Sequence, residues 1–503
     1  MESSAILILA LVTLALPFLP KLCRKKTAKQ SSGIFSVEDP VADGVGWEGK
    51  TAPSERELII LKVKGERKMK KTKIGLGALI LALGLFLAVP SISVAAPVEI
   101  NVWSAFPELH DQVTWIAGKY MEKNKNVQVK TTLFPQRALE EKVAVALPAG
   151  QAADLIELDK MALYPYYVAG HLAPLPKDVT EWVKKNFPDY SIVSVTSDKG
   201  EIFTFPWLNS LKLMFYNKDH FKEAGITKTP DTIEEMMEMG KKLTKRDAKG
   251  NLARAGLDLR LSGGGFGTSQ KYWCQVMIPY GAKVLEKVGN KWKAGYDNEA
   301  GRKALQYYID AVYKNKVDSL DFKSDAEAFG LGITSMFQRE SWVVGYMAKN
   351  APKIDYGVFL MPKGPGGWGT VGNTMGLSIS KASKHKKEAF DFAMFMMNDD
   401  MSRATFGDSG WQPFRKGVDY TALYKTRPQL KGFIDGAQTP GHTVYDYENI
   451  APIFEIHSRM ADRLMAAFKR ADLMDNPSGI AKVIKDTAEE TNRILEDHGL
   501  LAK

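Results

Sequence analysis

Cysteine is nearly absent. The 503 residues hold two, Cys23 and Cys274, too few for a disulfide framework. Cys274, in QKYWCQVMIPY, is expected to be a buried packing residue, as free cysteines usually are. Histidine is scarce as well. The seven, His110, His171, His220, His385, His442, His457 and His498, never stand three or four residues apart. None sits in an H-E-x-x-H or a Cys/His cluster, so no zinc site is supported and no metal or cofactor is expected. The glycine-rich Ser262–Gln270 (SGGGFGTSQ) lacks the Lys-Ser/Thr ending of a phosphate-binding loop and the G-x-G-x-x-G spacing of a dinucleotide fold. It reads as a loop or helix start, with backbone contact to a ligand as the lesser alternative. No G-x-S-x-G elbow occurs. Asp399-Asp400, near a helix end, reads as solvated capping rather than an acid/base pair. These absences argue against an enzyme.

A strong charge imbalance is also missing. The formal net charge is +10, but residues 1–95 hold 14 of the 68 Lys+Arg and only 8 of the 58 Asp+Glu. Residues 96–503 are close to neutral for their length, and no basic run is interleaved with aromatics. Nothing there calls for nucleic acid.

What is present first is a secretion signal in the wrong place. Lys70, Lys71 and Lys73 follow Met69, an apolar run spans Ile74 to Pro90, and small residues close it at Ser93-Val94-Ala95. Cleavage there leaves 408 of the 503 residues, too many for one compact core, so two lobes are the default. The piece in front, residues 1–68, admits two readings. In one it is an upstream extension and Met69 is the natural start; Gly65-Glu66-Arg67-Lys68 can be encoded by purines alone, as a translated ribosome-binding site would be. In the other the apolar residues 5–20, short for a span of roughly 20 residues, are a membrane segment. The polar, turn-rich stretch behind them reads as linker or disorder. The first reading is preferred, with no packing of residues 1–68 against the lobes.

From Pro97 strand and helix alternate. VEINVWS alternates as a strand. HDQVTWIAGKYMEKN puts Val113, Ile116, Ala117, Tyr120 and Met121 at helical spacing, with Trp115 assigned to the packed face. VQVKTTLF is a second strand, RALEEKVAVALPAG a helix with Leu139, Val143, Ala146 and Leu147 inward, and DLIELD a buried strand. That order implies an α/β fold with a parallel sheet covered by helices. Two β-rich runs broken at Pro206 come next. Helices are expected near 231–245, 268–280, 297–315 and 384–398, and strands at DYGVFLMP and MGLSIS.

Five phrases in order resemble one family. They are VEINVWSAF; LEEKVAVALPAGQAADLIELDKMALYPYYVAGHLAPL; FTFPWLNSLKLMFYNKDHFKEAGITKTPDTIEEMMEMGKKLT; FGLGITSMFQRESW; and DYGVFLMPKGPGGWGTVGNTMGLSISKASKHKKEAFDFAMFM with SGWQPFRKG. Together they resemble the extracellular solute-binding proteins of bacterial ABC importers, in the carbohydrate-binding, maltodextrin-binding-like branch. The family usually has Trp where this chain has Ile233, a packing position. The resemblance implies a two-lobed type II periplasmic-binding fold with a hinge. Lobe one would comprise 96–211 with 355–402, and lobe two 214–352 with 405–503. It further implies a periplasmic monomer that takes a sugar between its lobes and delivers it to a membrane permease. Alternatives are the same fold on a polyamine, an organic anion or ferric ion, or a membrane-tethered sensor; Tyr164–Tyr167 (YPYY) looks like a helix face rather than an iron site.

A sugar site needs aromatic planes and paired hydrogen-bonding groups. Residues just after strands are the candidates: Trp103, Ser104, Asp159, Trp207, Asn209, Trp342, Trp368, Asn373, Trp411 and Arg415. Some have plainer roles open to them. Trp103 could cap a core, Asp159 could cap a helix, Trp342 could pack, and Arg415 could sit in an ion pair. Trp182 and Trp292 are read as surface or satellite-core residues.

Overall fold

A computed structural model describes residues 96–502 apart from Gly264. The apolar run at 5–20, the linker behind it and the secretion signal at 69–95 lie outside the described residues.

β1 (Val98–Ser104) buries Ile100, Val102 and Ser104 and leaves the residues between them half-covered, as its alternation requires. α1 (Pro107–Lys123) begins with proline, whose missing N–H has no partner to lose at a helix start. Leu109, Val113, Ile116, Ala117 and Tyr120 form its buried stripe. Trp115 corrects the expectation: it is 43% exposed, with Lys119 Nζ 5.9 Å above its ring. Its position falls off the i, i+3, i+4, i+7 set that faces the sheet. β2 (Val127–Leu133), α2 (Gln136–Ala146) and β3 (Leu155–Asp159) complete the first unit. β1 pairs in parallel with both β2 and β3, so all three strands end on one edge.

Farther along come α3 (Lys160–Val168), β4 (Phe205–Asn209), β5 (Lys212–Asn217), α4 (Gly265–Tyr272) and β6 (Met336–Glu340). Then come α5 (Trp342–Asn350), β7 (Tyr356–Phe359), β8 (Gly369–Val371), β9 (Thr374–Ser380) and β10 (Gln412–Pro413). The first sheet runs β10–β4–β9–β3–β1–β2, with Leu172–Ala173 also on β9. It is mixed rather than wholly parallel, because β9 lies antiparallel between β3 and β4. Pro206 does not break the chain; it sits inside β4. Met375 faces Leu208 and Gly376 faces Pro206, so Trp207 is the extra residue of a bulge. A bulge tolerates a proline that cannot donate to the ladder.

β5 is the middle strand of a second, antiparallel sheet, between β6 and β7. Phe215, Phe329, Phe337, Tyr356 and Phe433 pack around it. A larger core gathers Ile233, Leu305, Tyr308, Phe468 and Ile484 from the surrounding helices. Ile233 is fully buried and Thr232 caps its helix by accepting from the Glu235 N–H. Cys274 is fully buried too, its Sγ 3.1 Å from both Thr370 Oγ1 and the Val371 N–H.

Strand pairing assigns segments between the two sheets. β7 pairs with β5, and Met361 and Val371 lie in the second core. β7 is therefore a strand of the second sheet, and the first sheet resumes with β9 at Thr374. Trp411 and Phe414 pack in the first core, beyond 402. Two crossings run side by side: Ser210 N–H donates to Asn373 O at 2.9 Å, and Asn373 N–H donates to Ser210 Oγ at 3.0 Å. A third tie is Lys160, buried at the start of α3. Its ammonium donates to Ser194 O (3.1 Å), Tyr447 O (2.7 Å) and Asn449 Oδ1 (3.1 Å) and lies 3.0 Å from Asp446 Oδ2.

Candidate functional site

In open α/β sheets ligands bind beyond the carboxyl ends of the strands. Here that edge forms one wall of a cavity of about 440 Å³. Phe106 and Glu108 come from the β1–α1 turn, Gln136 and Arg137 from the start of α2, and Asp159 from the end of β3. Asn373 just before β9 and Trp411 just before β10 join them. The facing wall belongs to the second sheet and its neighbours: Ser210 and Lys212 at β5, Arg339 and Glu340 ending β6, Trp342 opening α5, and Arg260, Gly265, Gly267 and Gln270 around α4.

The two tryptophans are held at both ends. Trp342 donates its indole N–H to Glu340 Oε2 at 3.1 Å, and the Arg339 guanidinium lies 4.9 Å from its ring centre. Trp411 donates to Glu108 Oε1 at 3.2 Å and tilts against Phe106 at 5.9 Å. Glu340 also takes Lys212 at 3.1 Å and Arg339 at 3.2 Å. Burial alone would raise the Glu340 carboxyl, but Arg339 and Lys212 overcome it and hold the group ionised, below the usual range. On the opposite wall the balance reverses. Burial, then the nearby Glu140 charge, pushes Asp159 up to about 7 against the pull of Lys212 and Arg137. Burial raises Glu108 as well. The cavity thus offers aromatic faces, ionised pairs and one carboxyl, Asp159, that can stand protonated near neutrality. Asn373 Oδ1, buried in the wall, makes no hydrogen bond to a described residue and is available to a ligand donor.

Of the ten sequence candidates, Asp159, Trp342, Asn373 and Trp411 line this cavity. Asp159 opens α3, but its side chain accepts no capping hydrogen bond. Ser104 is buried beneath the wall, its hydroxyl donating to Glu157 Oε2 at 2.6 Å. Burial lifts Glu157 to about 8. Trp103 packs edge-on against Phe134 under Lys142. Trp207, turned inward at the bulge, belongs to the first core at 2% exposure. Asn209 lines a separate cavity of about 310 Å³ with Ser194, Thr374 and Asp446. Trp368 packs edge-on against His442 and donates to Met361 O. Arg415 pairs with Asp399 at 2.9 Å and donates to Asn186 O.

Sequence reasoning passed over the charged residues: Glu108, Lys212, Arg260, Arg339 and Glu340. One signal was legible, an Arg-Glu pair in the otherwise apolar MFQRESWVVGYM. The glycine-rich stretch read as a loop or helix start, with ligand contact secondary. Gly265 and Gly267 open α4 and line the cavity.

Two lobes around a polar, aromatic-edged cleft define a binding protein that encloses a small solute. Residues 106–402 match the bacterial extracellular solute-binding protein family, and the chain belongs to it. It is 25% identical over 322 residues to a binding protein of Brucella abortus, spanning 62% of this chain and 74% of that one. It is 22% identical over 330 residues to the maltotriose-binding protein of Pyrococcus abyssi, spanning 64% and 68% of the two chains. An ABC transporter solute-binding protein of Thermotoga lettingae, solved with α-D-tagatose bound, superposes with a TM-score of 0.68 at 21% identity, covering 79% of this chain and all of that one.

Proposed function

We propose that this chain is the substrate-binding component of an ABC importer, that it closes around a carbohydrate in the cleft, and that it hands the carbohydrate to a membrane permease. The observation that carries the reading is the pairing of Trp342 and Trp411 with oriented acids and bases on opposite walls of one cavity. Sugar C–H faces stack on such rings, and hydroxyls bridge donors and acceptors. The side-by-side crossings at Ser210 and Asn373 suit a hinge, because rotation there keeps each sheet intact. Ligand contacts to both walls then shift an open–closed equilibrium, and the permease reads the closed form. Lobe one is taken as 96–211 with about 374–414, and lobe two as the remainder.

Export rests on the signal after Met69, with a mature monomer beginning near Ala96. Mass measurement of the mature N-terminus tests this, and retention of residues 5–20 would favour a tethered sensor instead. A thermal-shift panel of mono- and oligosaccharides tests the ligand class. A ligand at about 100 times its Kd stabilises by about 2.7 kcal/mol. Stabilisation by polyamines or small organic anions, with none from any carbohydrate, would remove the sugar reading.

A further inference from the structure

The basic wall of the cavity includes Arg260, whose side chain donates no hydrogen bond to a described residue. Lys212 and Arg339 are committed to Glu340. Arg260 Nε lies 3.0 Å from Asp325 Oδ2 and Arg339 Nε lies 2.9 Å from Asp325 Oδ1, ion pairs in which neither Nε has the geometry of a hydrogen bond. Neither terminal nitrogen of Arg260 hydrogen-bonds to a described residue. The backbone is shaped to hold this arrangement. Arg260 and Asp325 both adopt left-handed φ, 56° and 73°, which side chains other than glycine rarely take. Among the described residues only two other non-glycine positions do so. Strain of this kind collects at functional sites. Space is reserved as well: a Cβ on Gly267 would overlap the Arg260 guanidinium. Gly265 and Gly267 bring the first turn of α4 to the same cavity, and its N-terminal end adds positive potential.

We propose, on the carbohydrate reading of this cavity, that its ligand carries an anionic group, a carboxylate or a phosphate, seated on the terminal nitrogens of Arg260 beside the N-terminus of α4. A guanidinium held beside Asp325 by an ion pair, with its terminal nitrogens uncommitted, presents its outer edge as a fork, the geometry that carboxylate and phosphate oxygens match in pairs. Asp159, across the cavity, is only partly ionised near neutral pH and opposes this weakly.

The test is calorimetry on the full chain with matched probes: glucuronate and galacturonate, glucose 6-phosphate and mannose 6-phosphate, and neutral glucose, galactose, mannose and maltose. At least one acidic sugar is expected to bind tenfold or more tighter than its neutral parent, and to weaken as salt rises from about 50 to about 500 mM. Preference for uronates assigns a carboxylate, and preference for the phosphates assigns a phosphate. Arg260→Gln should cost tenfold or more on the acidic ligand, and more than it costs on the neutral parent sugar. Asp325 keeps Arg339 in that variant, and Gly267→Ala, which displaces the guanidinium without removing it, serves as the second variant. Equal or tighter binding of neutral sugars, or indifference to both substitutions, overturns the anionic site and leaves the sugar reading standing. No binding of any carbohydrate overturns both.

Discussion

Asp159→Asn should make the empty protein more stable while weakening its ligand. Burial, with Glu140 close by, lifts the Asp159 carboxyl from an ordinary 3.8 to about 7. Below pH 4 or so the group is protonated in both folded and unfolded chains and contributes nothing. Above that, the unfolded chain releases its proton first, so stability falls as pH rises. The fall ends when the folded-state group ionises near 7. Three units of difference correspond to about 4 kcal/mol. Water reaching the side chain through the cavity mouth brings the expected gain in the variant to about 2 kcal/mol at pH 8. That is a rise in melting temperature of roughly 2–4 °C, shrinking to nothing at pH 4. The assay is differential scanning calorimetry of parent and variant at pH 4, 6 and 8. Comparing the two chains at each pH cancels Glu157, which titrates in both. Ligand affinity, measured in parallel, should drop at least tenfold if Asp159 accepts from the bound solute. A stability gain independent of pH would refute the account of Asp159 as a buried, reluctant carboxylate. No gain at pH 8 would refute it equally.

Four other outcomes are expected. Trp342→Ala should weaken ligand binding at least tenfold by calorimetry with the far-ultraviolet circular dichroism unchanged, since the ring edges the cavity; unchanged affinity removes it from the site. Lys160→Met removes the shared donor of four acceptors on two segments, two of which keep another donor, and should cost roughly 3 kcal/mol, read as a lowered denaturation midpoint. Cys274, buried with its thiol pushed up by burial, should resist alkylation in the native protein and react on unfolding, as peptide mass spectrometry would record. His457 is held neutral by burial, its pKa lowered to about 3; from pH 6.5 downward the unfolded chain gains a proton the folded chain refuses, so stability falls by up to about 4 kcal/mol near pH 3. His457→Gln should flatten that acid limb.

The first half of the fold was legible because each element there is governed by neighbours in sequence. The alternation in VEINVWS and the 3.6-residue spacing in α1 and α2 fix which atoms face the sheet, whatever lies beyond. The errors begin where a distant strand decides. Trp207 reads as a residue leaving a strand, but pairing with β9 absorbs Pro206 in a bulge and turns the indole into the core. The second-lobe strand β7 reads as the return to lobe one until β5 claims it. Trp115 misses the buried stripe by a fraction of a turn, a distinction that an aromatic's hydrophobicity hides. In the cleft the same division holds. Asp159, Trp342, Asn373 and Trp411, which line the cavity, could be picked out because each lies at or beside a strand end, a local property. Arg260 was not, because nothing near it in sequence marks it. Its orientation depends on Asp325 and Gly267, and only the folded chain brings these together. A lone arginine in an exposed loop is a solvated charge. On the anionic-ligand proposal, the same arginine becomes a receptor because a remote carboxylate pairs with its charge and a glycine clears its outer edge.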